Sequence, residues 1–399
     1  MQRLAILGST GSIGTSTLEV VRESGGQLRV WGLAAGRNLE ALAAQAEEFR
    51  PQLVSVATAE DAERLERMIA LRLPAGRRPA VHFGPAGNVA AATAEEVDTL
   101  VSAAVGVAGL EATYEAARCG KRIALANKEV LVAAGELVME AARRSGALLL
   151  PVDSEHNGLH QCLQAGNRQQ VRRLILTASG GPFRDTPREA MADVTPQQAL
   201  RHPTWNMGPR ITINSATLMN KGFEVIEACR LFGFKPEQID VLIHPQSSVH
   251  ALVEFEDGSI LAQISVTDMK MPIQYALYYP ERKPCPDSRR LDWKTVRQWV
   301  FEPPDRDRFP ALDLAYEALR IGGSAGCTLN AADEVAVAAF LNGEIRFPAM
   351  AQVARETLAS EPSRQPRSIE EVLEVDRRSR ERARQILPAV AGAVAVVER

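Results

Sequence analysis

Two carboxylates stand two residues apart where a short apolar run ends. Asp153 and Glu155 follow residues 147–150, a run short enough to be a buried strand. Beyond such a strand the backbone can turn both side chains toward one point, and paired oxygen ligands suit Mg²⁺ or Mn²⁺ better than Zn²⁺. Glu224, at a polar-to-apolar junction that reads as a helix start, is the best candidate for a third ligand. The alternative is that the two acids are ordinary solvated loop residues.

A glycine-rich turn near the N terminus is a second candidate site. Residues 3–7 predict a strand, residues 8–14 carry glycines at GxxGxxG spacing, and residues 17–21 begin a helical pattern. Glycines allow close approach of the backbone to a pyrophosphate, and the N–H groups of the helix start can bind it. The spacing differs from the commoner GxGxxG, so a turn without a ligand is the alternative.

The residue after the second predicted strand indicates which dinucleotide would bind. An NAD enzyme usually carries an acidic residue near this place to hold the ribose 2′-hydroxyl. This chain has Arg37 after strand 28–33. A guanidinium can pair with a 2′-phosphate, so the pattern favours NADP, with a solvated surface arginine as the alternative.

Alternating strands and helices predict the scaffold that positions these residues. Such alternation is typical of a parallel sheet covered on both faces, whose ligands bind outside the carboxyl ends of the strands. Asn127, Lys128 and Glu129 follow a predicted strand at 123–126 and should face the same crevice as the glycine turn. Alternatively, they only cap the next helix. The predicted elements are helices 39–48 and 59–71 and strands 53–56, 80–83, 99–105 and 123–126.

A second domain is expected from about residue 151, where the alternation of predicted strands and helices becomes less regular. Strand 174–177 leads into a small-residue turn at 178–183 that can cradle a phosphate. Residues 211–221 add a hydroxyl, an amide and a cation just before Glu224. One short segment could therefore hold a phosphate and a metal ion.

Residues 201–209 are interpreted as a lid. Prolines and a glycine bracket His202 and Trp205, which a plain surface loop would not need. Lids exclude water and become ordered on binding. The alternative is a tryptophan packed into the core.

The remaining chain predicts a hairpin, a linker and a helical bundle. Segments 251–255 and 259–266 alternate like an antiparallel hairpin, one face of which is a candidate dimer surface. The predicted parts are a dinucleotide-binding domain at 1–150, a catalytic and dimerisation domain at 151–282, a proline-rich linker at 283–311 and a helical domain at 312–399. The bundle has predicted helices at 312–320, 331–341, 349–358 and 369–387 and carries no convincing chemistry, apart from a potential contribution of the loop at 322–330.

Composition narrows the classes of partner. A length of 399 residues with 46% hydrophobic content suits two or three domains. Net charge is −3 and no basic stripe occurs, so we expect no nucleic-acid or membrane partner, and no apolar run approaches the ~18 residues of a membrane span. Five cysteines without CxxC spacing argue against a disulfide framework and a cysteine zinc site. Because the first predicted strand starts at residue 3, we expect no signal peptide and a cytoplasmic location.

Taken together and in order, these motifs resemble those of the 1-deoxy-D-xylulose 5-phosphate reductoisomerase family. The resemblance implies an α/β fold with an N-terminal Rossmann-like parallel-sheet domain, an α+β catalytic and dimerisation domain and a C-terminal helical bundle. It also implies an NADPH-dependent enzyme of the non-mevalonate isoprenoid pathway that uses one divalent cation, Mg²⁺ or Mn²⁺ with Co²⁺ as a further option. Its substrate would be a sugar phosphate and its assembly a homodimer. The motifs lie at residues 8–14, 125–129, 151–157, 179–183, 202–205, 215–224 and 244–247.

The same resemblance implies roles for individual residues. Metal ligands would be Asp153, Glu155 and Glu224, which together with Lys128 and His202 would form the catalytic set. Substrate-binding residues would be Lys128, Ser154, Glu155, Ser179, His202, Trp205, Ser215, Asn220, Lys221 and Glu224. Cofactor-binding residues would be Thr10, Gly11, Ser12, Ile13, Gly36, Arg37, Asn38, Asn127, Glu129 and Gly208.

Some positions depart from the family pattern. Met-Gly-X-Lys usually follows the lid, whereas this chain ends that motif with Pro209 and Arg210, and it has Asn214 where Asp is common. Ser265 and Thr267 replace a usual glycine and proline. These changes affect the lid hinge and the nicotinamide-side loop and leave the expected reaction class unchanged.

Two other functions compete with this interpretation. A semialdehyde or homoserine dehydrogenase type would also bind NADP, but an acylating semialdehyde enzyme needs a nucleophilic cysteine in a polar helix-start setting, and no cysteine here has one. An NADP-binding sensor without turnover would leave three carboxylates and a lysine unexplained.

Overall fold

The chain forms two compact units, each built from several stretches of sequence. The computed structural model describes residues 1–205, 207–295 and 298–396. The first unit comprises Met1–Val130, Glu136–Asn157 and Asp268–Arg289, and the second comprises Leu131–Gly135, Gly158–Thr267 and the described part of Arg290–Arg399. The predicted boundaries at 150, 282 and 311 remain a prediction.

A seven-stranded parallel sheet is the centre of the first unit, which confirms the predicted Rossmann-like fold. Its inner strands are largely buried, as parallel strands covered by helices should be, whereas the two edge strands at residues 80–83 and 148–151 are partly exposed. In spatial order they are β4 (Ala80–Phe83), β3 (Leu53–Val56), β2 (Leu28–Ala34), β1 (Gln2–Leu7), β5 (Thr99–Ser102), β6 (Arg122–Leu125) and β7 (Leu148–Pro151).

Helices connect these strands and supply the apolar faces that cover the sheet. The core of the unit includes Leu4 and Ile6 of β1, Leu18 of the first helix and Leu42 of the second, all essentially inaccessible to solvent. The α-helices that begin in this unit include α1 (Ser12–Glu23), α2 (Leu39–Phe49), α3 (Ala59–Arg72), α4 (Gly84–Thr93), α5 (Leu110–Arg118), α6 (Lys128–Ser145) and α7 (Ser154–Leu163).

A mixed four-stranded sheet organises the second unit. The predicted hairpin is confirmed, with antiparallel pairing on either side of a turn in which Gly258 has φ 84°. In spatial order the strands are β11 (Ile260–Ile264), β10 (Val249–Phe255), β8 (Val171–Ala178) and β9 (Ile239–Ile243).

Helices cover this sheet and form the predicted C-terminal bundle. Large buried side chains such as Phe223, Leu312 and Phe340 belong to one apolar cluster with the buried face of the sheet. The remaining helices are α8 (Pro196–Ala199), α9 (Pro209–Ala216), α10 (Met219–Phe232), α11 (Lys270–Tyr278), which lies in the first unit, α12 (Ala311–Ile321), α13 (Ala325–Leu341), α14 (Ala349–Ser360) and α15 (Ile369–Val396).

Several local predictions need correction. Helix α10 begins at Met219, so Glu224 lies in its second turn instead of at its start. Strand β5 ends at Ser102, three residues before the predicted end. Helix α4 was not predicted because its sequence is mostly alanine and glycine and carries almost no apolar period. No helix among the described residues is both long and apolar enough to cross a membrane.

Candidate active site

The glycine turn holds the end of β1 tightly against neighbouring backbone. Gly8 has φ +80°, and a Cβ at this position would lie 2.4 Å from the carbonyl oxygen of Ala103. A Cβ on Gly14 would lie 2.3 Å from the carbonyl oxygen of Gly8. Both positions therefore require glycine because no side chain fits.

The start of α1 is open to an anion. Gly11 is the N-cap residue and has no side chain that could cap the helix. Both Gly11 and Ser12 are exposed. Thr10 and Ile13, the other predicted cofactor contacts in this turn, are half-buried. The first N–H groups of a helix lack intrahelical partners and carry partial positive charge, which suits a pyrophosphate.

The loop after β2 presents Arg37 to solvent. Gly36, Arg37 and Asn38 are all exposed. The Oδ1 atom of Asn38 accepts a hydrogen bond of 3.1 Å from the N–H of Ala41, so this side chain caps α2. Arg37 is therefore accessible from solvent in the loop that follows β2.

Asn127 and Lys128 lie at the start of α6, but their side chains do not cap it. Asn127 is buried and its Nδ2 donates to the carbonyl oxygen of Gly106 at 3.0 Å. Lys128 is also buried, and its Nζ donates to Oδ2 of Asp153. Glu129 is half-buried in the first turn. The capping alternative therefore does not describe Asn127 or Lys128.

Asp153 immediately precedes α7 and Glu155 lies in its first turn, where hydrogen bonds from backbone and side chains hold both carboxylates. Oδ1 of Asp153 accepts a hydrogen bond from the N–H of Glu155 at 3.3 Å and lies 3.5 Å from Nδ1 of the buried His156. Ser154 donates from Oγ to Oε2 of Glu155 at 2.9 Å. A carboxylate oxygen of Asp153 lies within 4.8 Å of one of Glu155, as the strand-end argument predicts.

In the second unit His202 bridges two of the predicted phosphate-binding serines. Its Nε2 lies 2.9 Å from Oγ of Ser179 and 3.1 Å from Oγ of Ser215. The turn after β8 is close to these groups, because the N–H of Gly181 donates to Oγ of Ser179 at 3.2 Å. A Cβ on Gly181, which has φ +68°, would lie 2.7 Å from the carbonyl oxygen of Ser215. Two segments predicted separately thus meet at one hydroxyl-lined site.

The hydrogen bonds of His202 determine where its proton resides. Its Nδ1 accepts from the N–H groups of Thr204 at 3.1 Å and Trp205 at 2.9 Å. Burial lowers the pKa of His202, which favours the neutral ring. A neutral ring that accepts at Nδ1 carries its proton at Nε2 and can donate there. His202 therefore presents an N–H toward the two serines.

Glu224 is buried on α10 beside two of the predicted phosphate ligands. Its Oε1 accepts from Nδ2 of Asn220 at 2.6 Å, and its Oε2 accepts from Nζ of Lys221. Lys221 and Glu224 have side-chain exposures of only 4% and 1%. The spacings of three and four residues put all three groups on one face of the helix.

The predicted lid is half-buried at Trp205. The indole ring centroid lies 6.4 Å from that of His250, a buried residue of β10. Asn206 lies outside the described residues. Gly208 is exposed and is the N-cap residue of α9. Sequence reasoning gave His250 no role, although a histidine in the mostly apolar and largely buried strand β10 was a signal.

Three cysteines are poor nucleophiles. Burial raises the pKa of Cys162 to about 11 and that of Cys229 to about 12, and it also raises the pKa of Cys327. Thiolates are then scarce at neutral pH. These three residues do not support an acylating dehydrogenase.

Comparison with known proteins gives a consistent relationship. A model of the 1-deoxy-D-xylulose 5-phosphate reductoisomerase family matches residues 4–135, and models of two C-terminal domains of that enzyme match residues 149–232 and 264–382. The chain is 59% identical over 387 residues to the reductoisomerase of Solibacter usitatus, covering 97% of both proteins. It is 54% identical over 358 residues to that of Heliobacterium modesticaldum, covering 90% of both.

Solved structures agree with the sequence comparison. A Zymomonas mobilis reductoisomerase in complex with NADPH matches with a TM-score of 0.89 and 43% identity over 97% of this chain and 99% of that one. A reductoisomerase in complex with NADPH, fosmidomycin and magnesium matches with a TM-score of 0.91 and 40% identity over 99% of both chains.

Proposed function

The chain belongs to the 1-deoxy-D-xylulose 5-phosphate reductoisomerase family, and from this premise we propose which of its residues carry out the reaction. The enzyme rearranges 1-deoxy-D-xylulose 5-phosphate and reduces the product to 2-C-methyl-D-erythritol 4-phosphate in the non-mevalonate isoprenoid pathway. It uses NADPH and a divalent cation.

The proposed cofactor site is formed by the turn at residues 8–14 and the loop after β2. The open start of α1 would hold the pyrophosphate, with Thr10, Gly11, Ser12 and Ile13 around it. Arg37 would pair with the 2′-phosphate, while Gly36 and Asn38 shape the loop. Asn127, Glu129 and Gly208 would complete the cofactor contacts. The glycine requirement at Gly8 and Gly14 supports this assignment.

Asp153, Glu155 and Glu224 are the proposed metal ligands. An all-carboxylate donor set suits Mg²⁺ or Mn²⁺, and Co²⁺ is a further option. Asp153 and Glu155 are half-buried and Glu224 is buried, so their charge is only partly screened by water. The bound ion would supply Lewis-acid polarisation of the ketone and neighbouring hydroxyl oxygens of the substrate.

Two lysines offset the charge of two of these three carboxylates. Lys128 contacts Asp153, and Lys221 contacts Glu224. Lys128 would donate to a substrate oxygen and stabilise negative charge that develops there. Ser154 would donate to the same part of the substrate. Each lysine can exchange its carboxylate for a substrate oxygen without leaving a buried cation unpaired.

The substrate phosphate is proposed to bind among donors of the second unit. Ser179, Ser215, Asn220 and Lys221 would hold its oxygens, and His202 would donate from Nε2. Trp205 would exclude water when the lid closes. Phosphate held far from the reacting carbons supplies binding energy that can order the lid.

We further propose a cytoplasmic homodimer. Exposed Ile260 and Leu261 on β11 support an association surface on the predicted hairpin, because water-exposed apolar side chains at a sheet edge favour pairing. The five free cysteines support a reducing compartment.

The main support for this assignment is the buried contact of Glu224 with Lys221 and Asn220. It places a candidate metal ligand next to two candidate phosphate ligands. The test is oxidation of NADPH followed by absorbance with 1-deoxy-D-xylulose 5-phosphate as substrate. We expect turnover only when substrate and Mg²⁺ or Mn²⁺ are both present. Unchanged turnover after chelation of divalent ions would contradict the proposal.

A further inference from the structure

The start of α9 is joined to the C-terminal helices by a half-buried arginine. Nη2 of Arg210 donates to Oδ1 of Asn330 at 2.7 Å and lies 3.5 Å from Oδ2 of Asp333. Its Nη1 lies 3.3 Å from Oε2 of Glu334. One guanidinium therefore contacts three residues of α13.

Asn214 contacts the same carboxylate one turn later. Its Nδ2 donates to Oδ2 of Asp333 at 2.8 Å, and the Asp333 side chain is only 6% exposed. Arg210 and Asn214 are four residues apart and share one face of α9. Ser215 is the next residue, and its hydroxyl is directed to His202 on another side of the helix.

The network extends from α13 to α15. Glu334 accepts from Nη2 of Arg380 at 2.8 Å, and Arg380 also donates to both carboxylate oxygens of Asp376, at 2.6 and 3.1 Å. The helical bundle, to which the sequence assigned no chemistry apart from a contribution of residues 322–330, is thus connected by charged groups to the helix that carries Ser215.

We propose that Arg210 is a positioning residue that sets the rotation of α9 and thereby the place of Ser215 at the phosphate site. Helix α9 has eight residues and an N-cap glycine without a capping side chain, so it is too short to be stable by itself. Its orientation must come from tertiary contacts, and Arg210 with Asn214 supplies polar ones at two successive turns. The inference rests on the proposed role of Ser215.

The residue types suit this role. Arginine has a planar fork of donors that reaches several acceptors at once, whereas a lysine presents one charged point. Asparagine at position 214 donates to Asp333, whereas an aspartate there would place two carboxylates side by side. Arg210 and Asn214, which both depart from the family pattern, therefore contact the same buried residue, Asp333.

The test is a double-mutant cycle between Arg210→Lys and Ser215→Ala, measured in the full-length protein with NADPH and Mg²⁺. We expect Arg210→Lys to raise the KM for the sugar phosphate and the Kd of fosmidomycin by roughly 3- to 30-fold, with a smaller change in kcat. In the Ser215→Ala variant, adding Arg210→Lys should raise this KM and this Kd by less than about twofold, because Arg210 acts through Ser215. The Kd of NADPH should not change.

Controls separate positioning from general damage. Arg377→Met removes an exposed arginine that pairs within α15 with Glu374 and Glu381, and it should leave every constant unchanged. Glu334→Gln is a milder variant that keeps the contacts of Arg210 with Asn330 and Asp333, and its smaller loss should show the same dependence on Ser215. The positioning role would be overturned if the effects of Arg210→Lys and Ser215→Ala on KM and Kd were fully additive. A fall in kcat alone would overturn it as well. Failure of the wild-type protein to bind fosmidomycin would instead overturn the proposed phosphate site.

Discussion

At the scale of single residues, ion pairs between lysines and carboxylates dominate the candidate site. Removing one partner of a buried pair typically costs about 3–5 kcal/mol because the other charge remains unpaired. The pair of Lys221 and Glu224 is almost fully buried. A cation that binds Glu224 would compete with Lys221, whose ammonium group would then be available for the substrate phosphate.

The two ring nitrogens of His202 predict different phenotypes for two amide substitutions. His202→Asn can keep an acceptor near the N–H groups of Thr204 and Trp205 but removes the Nε2 donor. Since hydrogen bonds to charged groups contribute about 1.5–3 kcal/mol, we expect the Kd of fosmidomycin to rise by about 10- to 150-fold. His202→Gln can place its amide near Nε2 and should lose less affinity. Equal affinities of His202→Asn and the wild type would contradict the donor role.

The lowered pKa of His202 also predicts a pH dependence of stability. The folded-state pKa is below the ordinary value of 6.5, so the unfolded chain takes up this proton first as pH falls. Protonation therefore favours unfolding in the window below 6.5, and the wild type loses stability there relative to His202→Asn. Urea unfolding of both proteins at about pH 7.5 and 5.5 measures this difference. A difference that does not change with pH would contradict the assignment.

Arg37 is predicted to select NADPH over NADH. Replacement by alanine should weaken NADPH binding by about 10- to 150-fold and leave NADH nearly unchanged, because only NADPH has the 2′-phosphate. The measurement is the Kd of both cofactors at one ionic strength. Arg64→Ala, which removes an exposed arginine from α3, is the matched control. Equal losses for the two cofactors would show that Arg37 does not recognise the 2′-phosphate.

At the scale of elements, local sequence patterns predicted the strands more accurately than their connections. Strands β3 and β4 match the predicted bounds, because Leu53–Val56 and Ala80–Phe83 are short runs of strand-forming residues between turn residues. The start of α10 was misplaced because Leu218 adopts φ 62° as its N-cap, a conformation that its side chain does not indicate. The bonds of His202 to Ser179 and Ser215 depend on tertiary structure, and spacing alone could not predict them.

The lid at residues 201–209 is predicted to change its environment on binding. Addition of fosmidomycin with NADPH and Mg²⁺ should change tryptophan fluorescence, since Trp205 is half-buried against His250 and would become more buried on closure. Protease protection of the segment should increase in parallel. The fluorescence change should disappear in Trp205→Phe. A change that persists in this variant, or no change in the wild type, would favour a static loop.

At the scale of the whole molecule, the sequence predicted the parallel sheet from alternating strands and helices, the hairpin from its strand alternation and the C-terminal bundle from its helical pattern. It gave no indication that Asp268–Arg289 joins the first unit. That association depends on contacts between distant residues, including ion pairs of Arg289 with Glu23 and Lys270 with Glu19. No local pattern reports a contact between residues so far apart in sequence. Residue types and family resemblance made the three carboxylates candidates for the metal site, whereas the pairing of Asp153 with Lys128 and of Glu224 with Lys221 needed the structure.

Asp153, Glu155 and Glu224 are proposed to bind one divalent ion that the reaction requires, and direct measurement of ion binding tests this proposal. Titration with Mn²⁺, followed by electron paramagnetic resonance of the free ion, measures the number of sites and their affinity. Asp153→Asn, Glu155→Gln and Glu224→Gln are compared with Glu237→Gln, which changes an exposed carboxylate just beyond α10. Thermal unfolding of each variant identifies any loss caused by misfolding, and the Kd of NADPH serves as a second control.

We predict one Mn²⁺ per wild-type chain and unchanged binding in Glu237→Gln. Each of the other three substitutions should weaken that same site by ~100-fold or more, because each removes a charged ligand. Turnover in Glu224→Gln should fall by several orders of magnitude while NADPH binding is retained. If a folded Glu224→Gln variant bound Mn²⁺ with wild-type affinity, Glu224 would not be a ligand of this ion.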